Sequence, residues 1–256
     1  MLVMDPPNRS WSGVPGRLSK VLLRLLMRHA TVVAVDRLAD RFLLITLEGP
    51  ALKGVDWLPG HKIQIAMGSA FVARTYTPID WDAVAGCTRI LGYDHGEGPG
   101  SAWVRGVAPG DECDLFGPRR SLDVSAMAGP FAVLGDETAI GLAHALRCQS
   151  FSVACRFEVG DVVAGRGVTA RLGLDDAMLF GRAENHVHLN DAHLNDGHLE
   201  EMEATLPALA ATGATFVLVG KVSTIQRLRR SLKRLAVPEA RIVAKVYWAP
   251  GRTGLD

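Results

Sequence analysis

The pattern of apolar residues changes near residue 128, and this change restricts the fold more than any other feature of the chain. Before that point, short runs of alternating apolar and polar residues are separated by turn sequences such as "WLPGH" and "APGDE". After it, continuous apolar runs alternate with helical segments. Alternating runs are typical of antiparallel strands, whereas continuous apolar runs between helices are typical of a buried parallel sheet. The chain therefore predicts two different architectures in succession.

The first half predicts an antiparallel six-stranded barrel, and the second half predicts a parallel α/β domain of the nucleotide-binding kind. The expected boundaries are a flexible N-terminal tail at 1–16, a barrel domain at 17–125 and an α/β domain at 129–256. The predicted barrel strands are 30–36, 41–47, 61–67, 72–78, 88–94 and 111–117. Two domains of this kind commonly hold a ligand in the cleft between them.

Composition argues against several classes of partner and site. Lys and Arg number 28 against 27 Asp and Glu, so no bulk field favours nucleic acid or an anionic membrane. The four cysteines are scattered without a C-x-x-C pair, which argues against zinc and iron–sulfur sites and fits a reducing, cytoplasmic compartment. The apolar segment 17–30 is interrupted by Arg24 and Arg28, so we expect an amphipathic helix packed on its own domain rather than a membrane span. Binding of that helix to a membrane surface is the alternative.

The stretch "ARTYTPID", residues 73–80, carries unusual side chains for a strand. Because side chains alternate between the faces of a strand, Arg74 and Tyr76 lie on the same face. A fixed cation beside a flat aromatic ring suits a ligand that has both a phosphate and a planar ring. The alternative is a partly exposed surface strand.

The glycine-rich stretch "YDHGEGPGSAW", residues 93–103, follows a predicted strand and leads into a short helix near Ser101. The glycines at 96, 98 and 100 allow a ligand to approach the backbone, and the N–H groups at a helix start bind phosphate. An ordinary Gly-Pro turn is the alternative. Combined with Arg74 and Tyr76, this loop predicts a dinucleotide with a large flat ring, such as FAD.

Two stretches of the second half could also meet a nucleotide. "GDET" ends the first strand of the α/β domain, where such sheets bind nucleotides, but the carboxylates of Asp136 and Glu137 would repel a pyrophosphate. This turn therefore either meets a less charged part of the nucleotide, such as a nicotinamide, or only caps the following helix. Near the C-terminus, Tyr247 and Trp248 could stack on a cofactor or pack as an edge strand.

The remaining motifs point to no site chemistry of their own. "HVHLNDAHLNDGHL" repeats "HLND" every five residues, a spacing that places His188, His193 and His198 on one side of neither a helix nor a strand. We interpret it as a duplicated surface insertion, with metal binding as the alternative. The basic run 227–234 is interpreted as a solvated helix face. Because no nucleophile elbow, H-E-x-x-H or P-loop motif is present, any catalysis is expected to come from a cofactor, without a side-chain acid or base.

From about residue 28 to its end, the chain resembles the siderophore-interacting protein family of FAD-dependent ferric-siderophore reductases, within the ferredoxin reductase-like superfamily. The resemblance rests on five motifs in the same order: "RTYTP", "DHGEGPGSAW", "APGD" followed by "FGP", "GDET", and the terminal "KVYWAPGRTGLD". It implies an FAD-binding barrel followed by an NAD(P)-binding-like domain whose C-terminal segment covers the cofactor.

The resemblance also implies roles for particular residues. Tyr76 would lie against the isoalloxazine ring, and Thr77 would lie near its N5 edge. The loop at 98–101 would take the pyrophosphate, and the "GDET" turn would lie at the domain cleft beside the flavin. The implied cofactor-binding residues are Arg74, Tyr76, Thr77, His95, Gly98, Pro99, Gly100, Ser101, Asp136, Glu137, Thr138, Tyr247 and Trp248.

The reaction that the resemblance implies is reduction of a ferric siderophore with release of Fe(II), using electrons from NAD(P)H or a ferredoxin. An anionic chelate would be attracted by surface cations, for which the candidates are Lys62, Arg119, Arg120, Lys245 and Arg252. Two alternatives stay open. One is a general NAD(P)H–flavin diaphorase that serves a protein partner, and the other is a non-enzymatic binding module.

The chain departs from the family pattern at two positions. Ile79 stands where the flavin motif often has a second arginine, so one phosphate or substrate contact is missing or supplied elsewhere. Lys221 follows Gly220 where the family commonly has glutamate, which is expected to alter nucleotide preference or partner charge. Glu158 near the end of a strand favours NADH over NADPH, but Arg156 and Arg166 oppose that preference.

Overall fold

The computed structural model describes residues 27–69, 72–124, 127, 129–149, 151–182 and 196–250. An antiparallel seven-stranded sheet is followed by a parallel five-stranded sheet flanked by helices, which confirms the predicted fold class. The first sheet has the strand order β4-β3-β7-β1-β2-β6-β5. Its elements are β1 (Arg28–Ala39), β2 (Phe42–Glu48), β3 (His61–Ser69), β4 (Val72–Tyr76), β5 (Pro78–Asp82), β6 (Cys87–Tyr93), helix α1 (Pro99–Gly106) and β7 (Glu112–Arg120).

The predicted count of six strands is wrong, because the chain changes partner strands at Thr77. β4 pairs with β3, whereas β5 begins at Pro78 and pairs with β6 at the opposite edge of the sheet. A single residue therefore links the two edge strands. Since one residue spans only about 3.5 Å, the sheet must curve until its edges meet at Thr77. This curvature produces the predicted barrel and places Thr77 at its seam.

The second sheet is buried on both faces. Every residue of its first strand is buried, as are six of the seven residues of the fourth strand, as expected for a parallel sheet covered by helices. The strand order is β10-β9-β8-β11-β12. Its elements are β8 (Phe131–Gly135), α2 (Ile140–Cys148), β9 (Val153–Val159), α3 (Val162–Arg171), β10 (Met178–Gly181), α4 (Gly197–Ala204), α5 (Leu206–Ala211), β11 (Thr215–Lys221), α6 (Val222–Arg234) and β12 (Ile242–Trp248).

The two sheets share a hydrophobic core where α2 packs against the barrel. Ile79 of β5 is fully buried there, together with Phe42 and Leu44 of β2. A Cβ added to Gly141 of α2 would lie 2.9 Å from Cγ2 of Ile79, so the glycine is what allows this close approach. The contact brings the barrel seam next to the carboxyl ends of the parallel strands.

Several sequence predictions fall outside the described residues. These are the tail at 1–16, the helix up to residue 26, the histidine-rich segment up to residue 195, and Arg252. Arg28 was predicted to belong to that helix, but it starts β1, where its guanidinium donates to the backbone oxygens of Gly117 (2.8 Å) and Ala51 (2.7 Å). No helix in the described ranges is both long and apolar enough to cross a membrane.

Candidate cofactor site at the barrel seam

Edge strand β4 presents Arg74 and Tyr76 next to helix α1. The Tyr76 ring packs in a tilted arrangement on Trp103 of α1, with 5.5 Å between ring centroids. Burial raises the pKa of Tyr76 well above its ordinary value, so the phenol stays protonated at neutral pH. Arg74 Nη1 donates to its neighbouring backbone oxygen of Ala73 at 2.7 Å. Trp103, which lies in the "GSAW" motif, has a ring-packing role that the sequence reasoning did not assign.

The glycine-rich loop approaches this strand at Gly100. A Cβ added there would lie 3.2 Å from Cγ of Arg74 and 3.7 Å from the Tyr76 hydroxyl. Gly98 precedes α1 with a φ of 90°, a backbone conformation that favours glycine, and Pro99 is the first residue of the helix. The fold thus brings together the two stretches that the sequence singled out for one dinucleotide. We call residues 74, 76, 98, 100 and 101 the cofactor corner.

The cofactor corner has the unfilled binding capacity that a phosphate requires. Ser101 Oγ is buried and lies close to the Asp94 carboxylate, but among the described residues it forms no hydrogen bond of acceptable geometry. A Cβ added to Gly98 would meet no described atom within 4 Å, so the loop has open space beside it. The first turn of α1 has no acidic residue, and its N–H groups form the positive end of the helix dipole. These features fit the pyrophosphate of FAD.

Two arginines near the loop were missed by the sequence reasoning. Arg41 Nε donates to the backbone oxygen of Asp94 at 2.6 Å, and its Nη2 would lie 3.5 Å from a Cβ on Gly96. Arg105 Nη1 donates to Asp94 Oδ1 at 2.8 Å and to the Gly96 oxygen at 2.7 Å. Arg41 is far from the loop in the sequence, and Arg105 lies just outside its motif, so only the folded chain reveals their contacts with the loop. His95, the remaining predicted loop residue, is exposed.

At the carboxyl end of β8, the Asp136 carboxylate is saturated with donors. It accepts the N–H groups of Thr138 and Lys221, both at 2.9 Å, and Nε1–H of Trp248 at 2.6 Å. The Thr138 hydroxyl is a further hydrogen-bonding partner. Only 1% of Asp136 is exposed, and this burial raises the pKa of the carboxyl. Helix capping by Asp136 is therefore observed, and the same carboxylate also binds two distant chain segments, at Lys221 and Trp248.

Glu137 is also buried and bonded rather than free to face a ligand. Its Oε1 accepts the Gly160 N–H at 2.8 Å and the Tyr93 hydroxyl at 3.1 Å, and it forms an ion pair with Arg182. Tyr93 belongs to the barrel strand β6, so this contact ties the two sheets together. The two carboxylates of "GDET" thus have structural partners.

The terminal aromatic residues bridge the same two regions. The Thr77 hydroxyl at the barrel seam donates to Tyr247 Oη at 3.3 Å, and burial raises the pKa of Tyr247 to about 12. Trp248 is bonded to Asp136 but remains 39% exposed. We call residues 136, 137, 221, 247 and 248 the carboxyl-edge corner. It adjoins the cofactor corner because Thr77, which donates to Tyr247, directly follows Tyr76 in the chain.

Three of the predicted substrate cations meet at adjacent strand ends of the barrel, but Lys62 is only 9% exposed and is not the surface cation that the sequence predicted. In the sheet register, Lys62 of β3 pairs with Arg119 of β7, and His61 pairs with Arg120. Arg119 lies over the Phe116 ring at 4.4 Å. Burial and the nearby Arg120 lower the pKa of His61. The fourth candidate, Lys245, lies in β12.

Glu158 does not stand free at the end of its strand. Its side chain is 1% exposed; Oε1 accepts the Thr224 hydroxyl at 2.5 Å, and Oε2 lies 3.1 Å from His198 Nε2. The buried carboxylate is thereby shielded, which removes the basis for expecting it to repel the 2′-phosphate of NADPH. His198, the last histidine of the repeat, belongs to α4. Among the described residues, no three metal-ligating side chains form a metal site.

The antiparallel sheet followed by a parallel α/β sheet is the ferredoxin reductase-like fold. Residues 64–122 match the family model of the siderophore-interacting FAD-binding domain, a range that contains the whole cofactor corner. The resemblance recognised in the sequence is confirmed over this range, and FAD is confirmed as the cofactor that this domain binds. No curated protein matches the chain significantly.

Solved structures share the fold across most of the chain. A siderophore utilization protein from T. fusca is 21% identical, with a TM-score of 0.63 over 90% of this chain and 95% of its own. The siderophore-interacting protein SipS from Aeromonas hydrophila is 20% identical, with a TM-score of 0.66 over 89% and 93%. CYP116B46 from Tepidiphilus thermophilus is 18% identical, with a TM-score of 0.66 over 99% of this chain. This chain spans 32% of that protein. At these identities the likeness establishes the fold.

Proposed function

We propose that the protein is a flavin-dependent reductase of ferric siderophores that releases Fe(II) and takes its electrons from NAD(P)H or a ferredoxin. The observation that carries this proposal is the contact of Arg74 and Tyr76 with Gly100, inside the range that matches the siderophore-interacting FAD-binding domain. This contact supplies a cation, an aromatic ring and free backbone donors at one point.

The residues of the chain divide the work of holding the cofactor. Arg74, Ser101 and the N–H groups at the start of α1 would bind the pyrophosphate, with Arg41 as a further cation. Tyr76 and Thr77 would border the flavin ring, and Tyr247 would close that border on the side of the α/β domain. Bound FAD would supply the chemistry that a nicotinamide and Fe(III) require, namely hydride acceptance and single-electron transfer. No side-chain proton donor is required for that transfer.

The cationic strand ends of the barrel are suited to attracting the substrate. Siderophores hold Fe(III) through hard oxygen donors, and many ferric chelates carry negative charge. Arg119 and Arg120 are both exposed, and they lie on strand β7 beside β3, which pairs with the Tyr76 strand. A chelate held there would be close to the flavin border. Because a siderophore binds Fe(II) more weakly than Fe(III), reduction favours release of the iron.

The proposal is tested by following the visible absorption bands of the flavin in the purified protein under anaerobic conditions. We expect NADH to bleach the bands and a ferric siderophore, added with an Fe(II) chelator, to restore them as Fe(II) appears. Arg120→Gln should raise KM for an anionic chelate several-fold, as about 1 kcal/mol of attraction is lost. Arg230→Gln, on the exposed face of α6, should leave KM unchanged.

Two other outcomes would replace the proposal. If a ferredoxin or another protein acceptor restores the bands and ferric chelates do not, the protein is a diaphorase serving a protein partner. If the purified protein has no flavin bands and added FAD restores none, the protein is a non-enzymatic binding module.

A further inference from the structure

Trp248 and Lys221 form a cation–aromatic pair at the carboxyl edge of the parallel sheet. The two residues are register partners of β12 and β11, and the Lys221 ammonium lies 5.8 Å from the centre of the Trp248 ring. The Trp248 residue is 39% exposed, and among the described residues no carboxylate lies within ion-pair distance of the Lys221 ammonium. The pair therefore offers both a flat apolar surface and a positive charge to a ligand.

The pair is held in place by its backbone and by a buried acceptor. Asp136 fixes the edge of the Trp248 ring through Nε1–H at 2.6 Å and the backbone of Lys221 through its N–H at 2.9 Å. Gly220 has a φ of 115°, and a Cβ there would lie 2.6 Å from the Asp136 carboxylate. A rigid aromatic face of this kind loses little conformational entropy when a ligand stacks on it.

The position of the pair links it to the proposed reaction centre. Tyr247, the residue before Trp248, accepts a hydrogen bond from Thr77 at the barrel seam. Thr77 follows Tyr76, whose strand neighbour in β3 is Ile63, directly beside Lys62. A ligand on Trp248 would thus lie at the margin of the cofactor corner, on the α/β side of the seam.

The charge of the pair selects among ligands that could reach this margin. A reduced nicotinamide ring is neutral and its oxidised form is a cation, so neither ring is attracted by the Lys221 ammonium. A tris-hydroxamate complex of Fe(III) is neutral and has no aromatic donor groups. A catecholate complex carries its donor oxygens on aromatic rings and has net negative charge, which matches both members of the pair.

We propose that Trp248 and Lys221 form a substrate-selecting site for ferric chelates whose donor oxygens are borne by aromatic rings. This inference rests on the proposed function. It identifies the residue that replaces the expected glutamate, Lys221, as the source of the selectivity.

Gallium(III) complexes test the site without any redox step, because Ga(III) binds the same oxygen donors and is not reduced. The measurement is the dissociation constant of Ga(III)–catecholate and of Ga(III)–acetohydroxamate on the flavin-loaded protein, by calorimetry. We expect Lys221→Gln and Trp248→Leu each to weaken catecholate binding roughly tenfold and hydroxamate binding less than about twofold. Lys221→Arg, which keeps the charge, should bind nearly as the parent does.

These experiments distinguish a failure of the proposed chelate site from a failure of the proposed function. Equal losses for the two chelates, or no loss in Lys221→Gln, would overturn it. Lys221→Gln keeps the backbone hydrogen bond to Asp136, so its result stands even if Trp248→Leu fails to fold. If the Ga(III) complexes bind as expected but Fe(III) complexes never reoxidise the reduced flavin, the proposed function fails while the chelate site survives.

Discussion

The cofactor corner and the carboxyl-edge corner adjoin at Thr77, yet they differ in how well their polar groups are satisfied. In the cofactor corner, Ser101 Oγ is buried without a well-formed hydrogen bond and Gly98 faces open space. In the carboxyl-edge corner, Asp136 accepts from three different segments, and Glu137 is bonded to both sheets. The polar groups of the first corner have capacity left for a cofactor, whereas the two carboxylates of the second use theirs to hold the fold together.

This difference corrects a simple interpretation of conspicuous motifs. The "GDET" carboxylates are the most polar groups near the carboxyl ends of the parallel strands, but their oxygens are taken by the protein itself. The capacity to bind the cofactor pyrophosphate lies instead in glycines, a serine and exposed N–H groups. Whether a polar group already has hydrogen-bond partners within the protein therefore distinguishes structural residues from ligand-binding residues here, and its polarity alone does not.

Removing the acceptor of the carboxyl-edge corner should have the largest effect on stability. Asp136→Ala leaves the Trp248 and Lys221 N–H groups without their acceptor in a buried place. We expect the free energy of unfolding of the flavin-free protein to fall by about 3 kcal/mol. Urea denaturation measures it, with Glu97→Ala on the exposed loop as the control that should change almost nothing. A loss below about 1 kcal/mol would contradict the structural role.

Removing the Ser101 hydroxyl from the cofactor corner should weaken FAD binding and leave the stability of the protein almost unchanged. Ser101→Ala deletes a buried group without a good partner, so the flavin-free protein should be as stable as the parent or slightly more so. FAD affinity should fall roughly tenfold, because a donor to the pyrophosphate is lost. A loss of stability together with unchanged FAD affinity would reverse our assignment of the two corners.

The link between the corners should make a smaller contribution. Thr77→Val removes the hydroxyl that donates to Tyr247 Oη while keeping the side-chain shape. We expect a loss of about 1 kcal/mol in the free energy of unfolding, the usual value for one hydrogen bond. A double-mutant cycle with Tyr247→Phe isolates the pair, and a coupling energy near zero would show that the hydroxyls do not hold the seam.

The smallest expected effect is the pH dependence of the barrel strand ends. Burial and Arg120 lower the pKa of His61 below its ordinary value of 6.5, so between these values the unfolded chain binds more protons than the folded one. Stability should therefore fall as the pH drops through that window. Thermal melts of the parent and of His61→Gln at a series of pH values measure it. If the melting temperatures of the two proteins depend on pH in the same way, His61 is not the source of the pH dependence.

The sequence predicted the architecture well, because hydrophobic periodicity is local and changes visibly near residue 128. It placed Arg74, Tyr76 and the loop at 98–101 in one site, since both stretches lie beside barrel strands. It did not predict the additional strand, because the break at Thr77 depends on which strands β4 and β5 pair with. A proline after a threonine does not by itself specify opposite sheet edges.

The contacts that cross long sequence distances could not be predicted from the residues. Trp248 and Asp136 are 112 positions apart, and Arg41 reaches the loop after Asp94 from the turn between β1 and β2. The burial of Glu158 under His198 likewise depends on where α4 packs, so its carboxylate could not be recognised as shielded. These features follow from topology and register rather than from local pattern.

The most direct test of the central claim is the FAD dissociation constant of the flavin-free protein, compared with that of Arg74→Ala and of Arg230→Gln. Our account predicts that the parent binds FAD and that Arg74→Ala binds it at least about tenfold more weakly, with unchanged unfolding free energy. Arg230→Gln should bind as the parent does. Equal affinity of Arg74→Ala and the parent would contradict the assignment of the cofactor corner as the place where this protein holds its flavin.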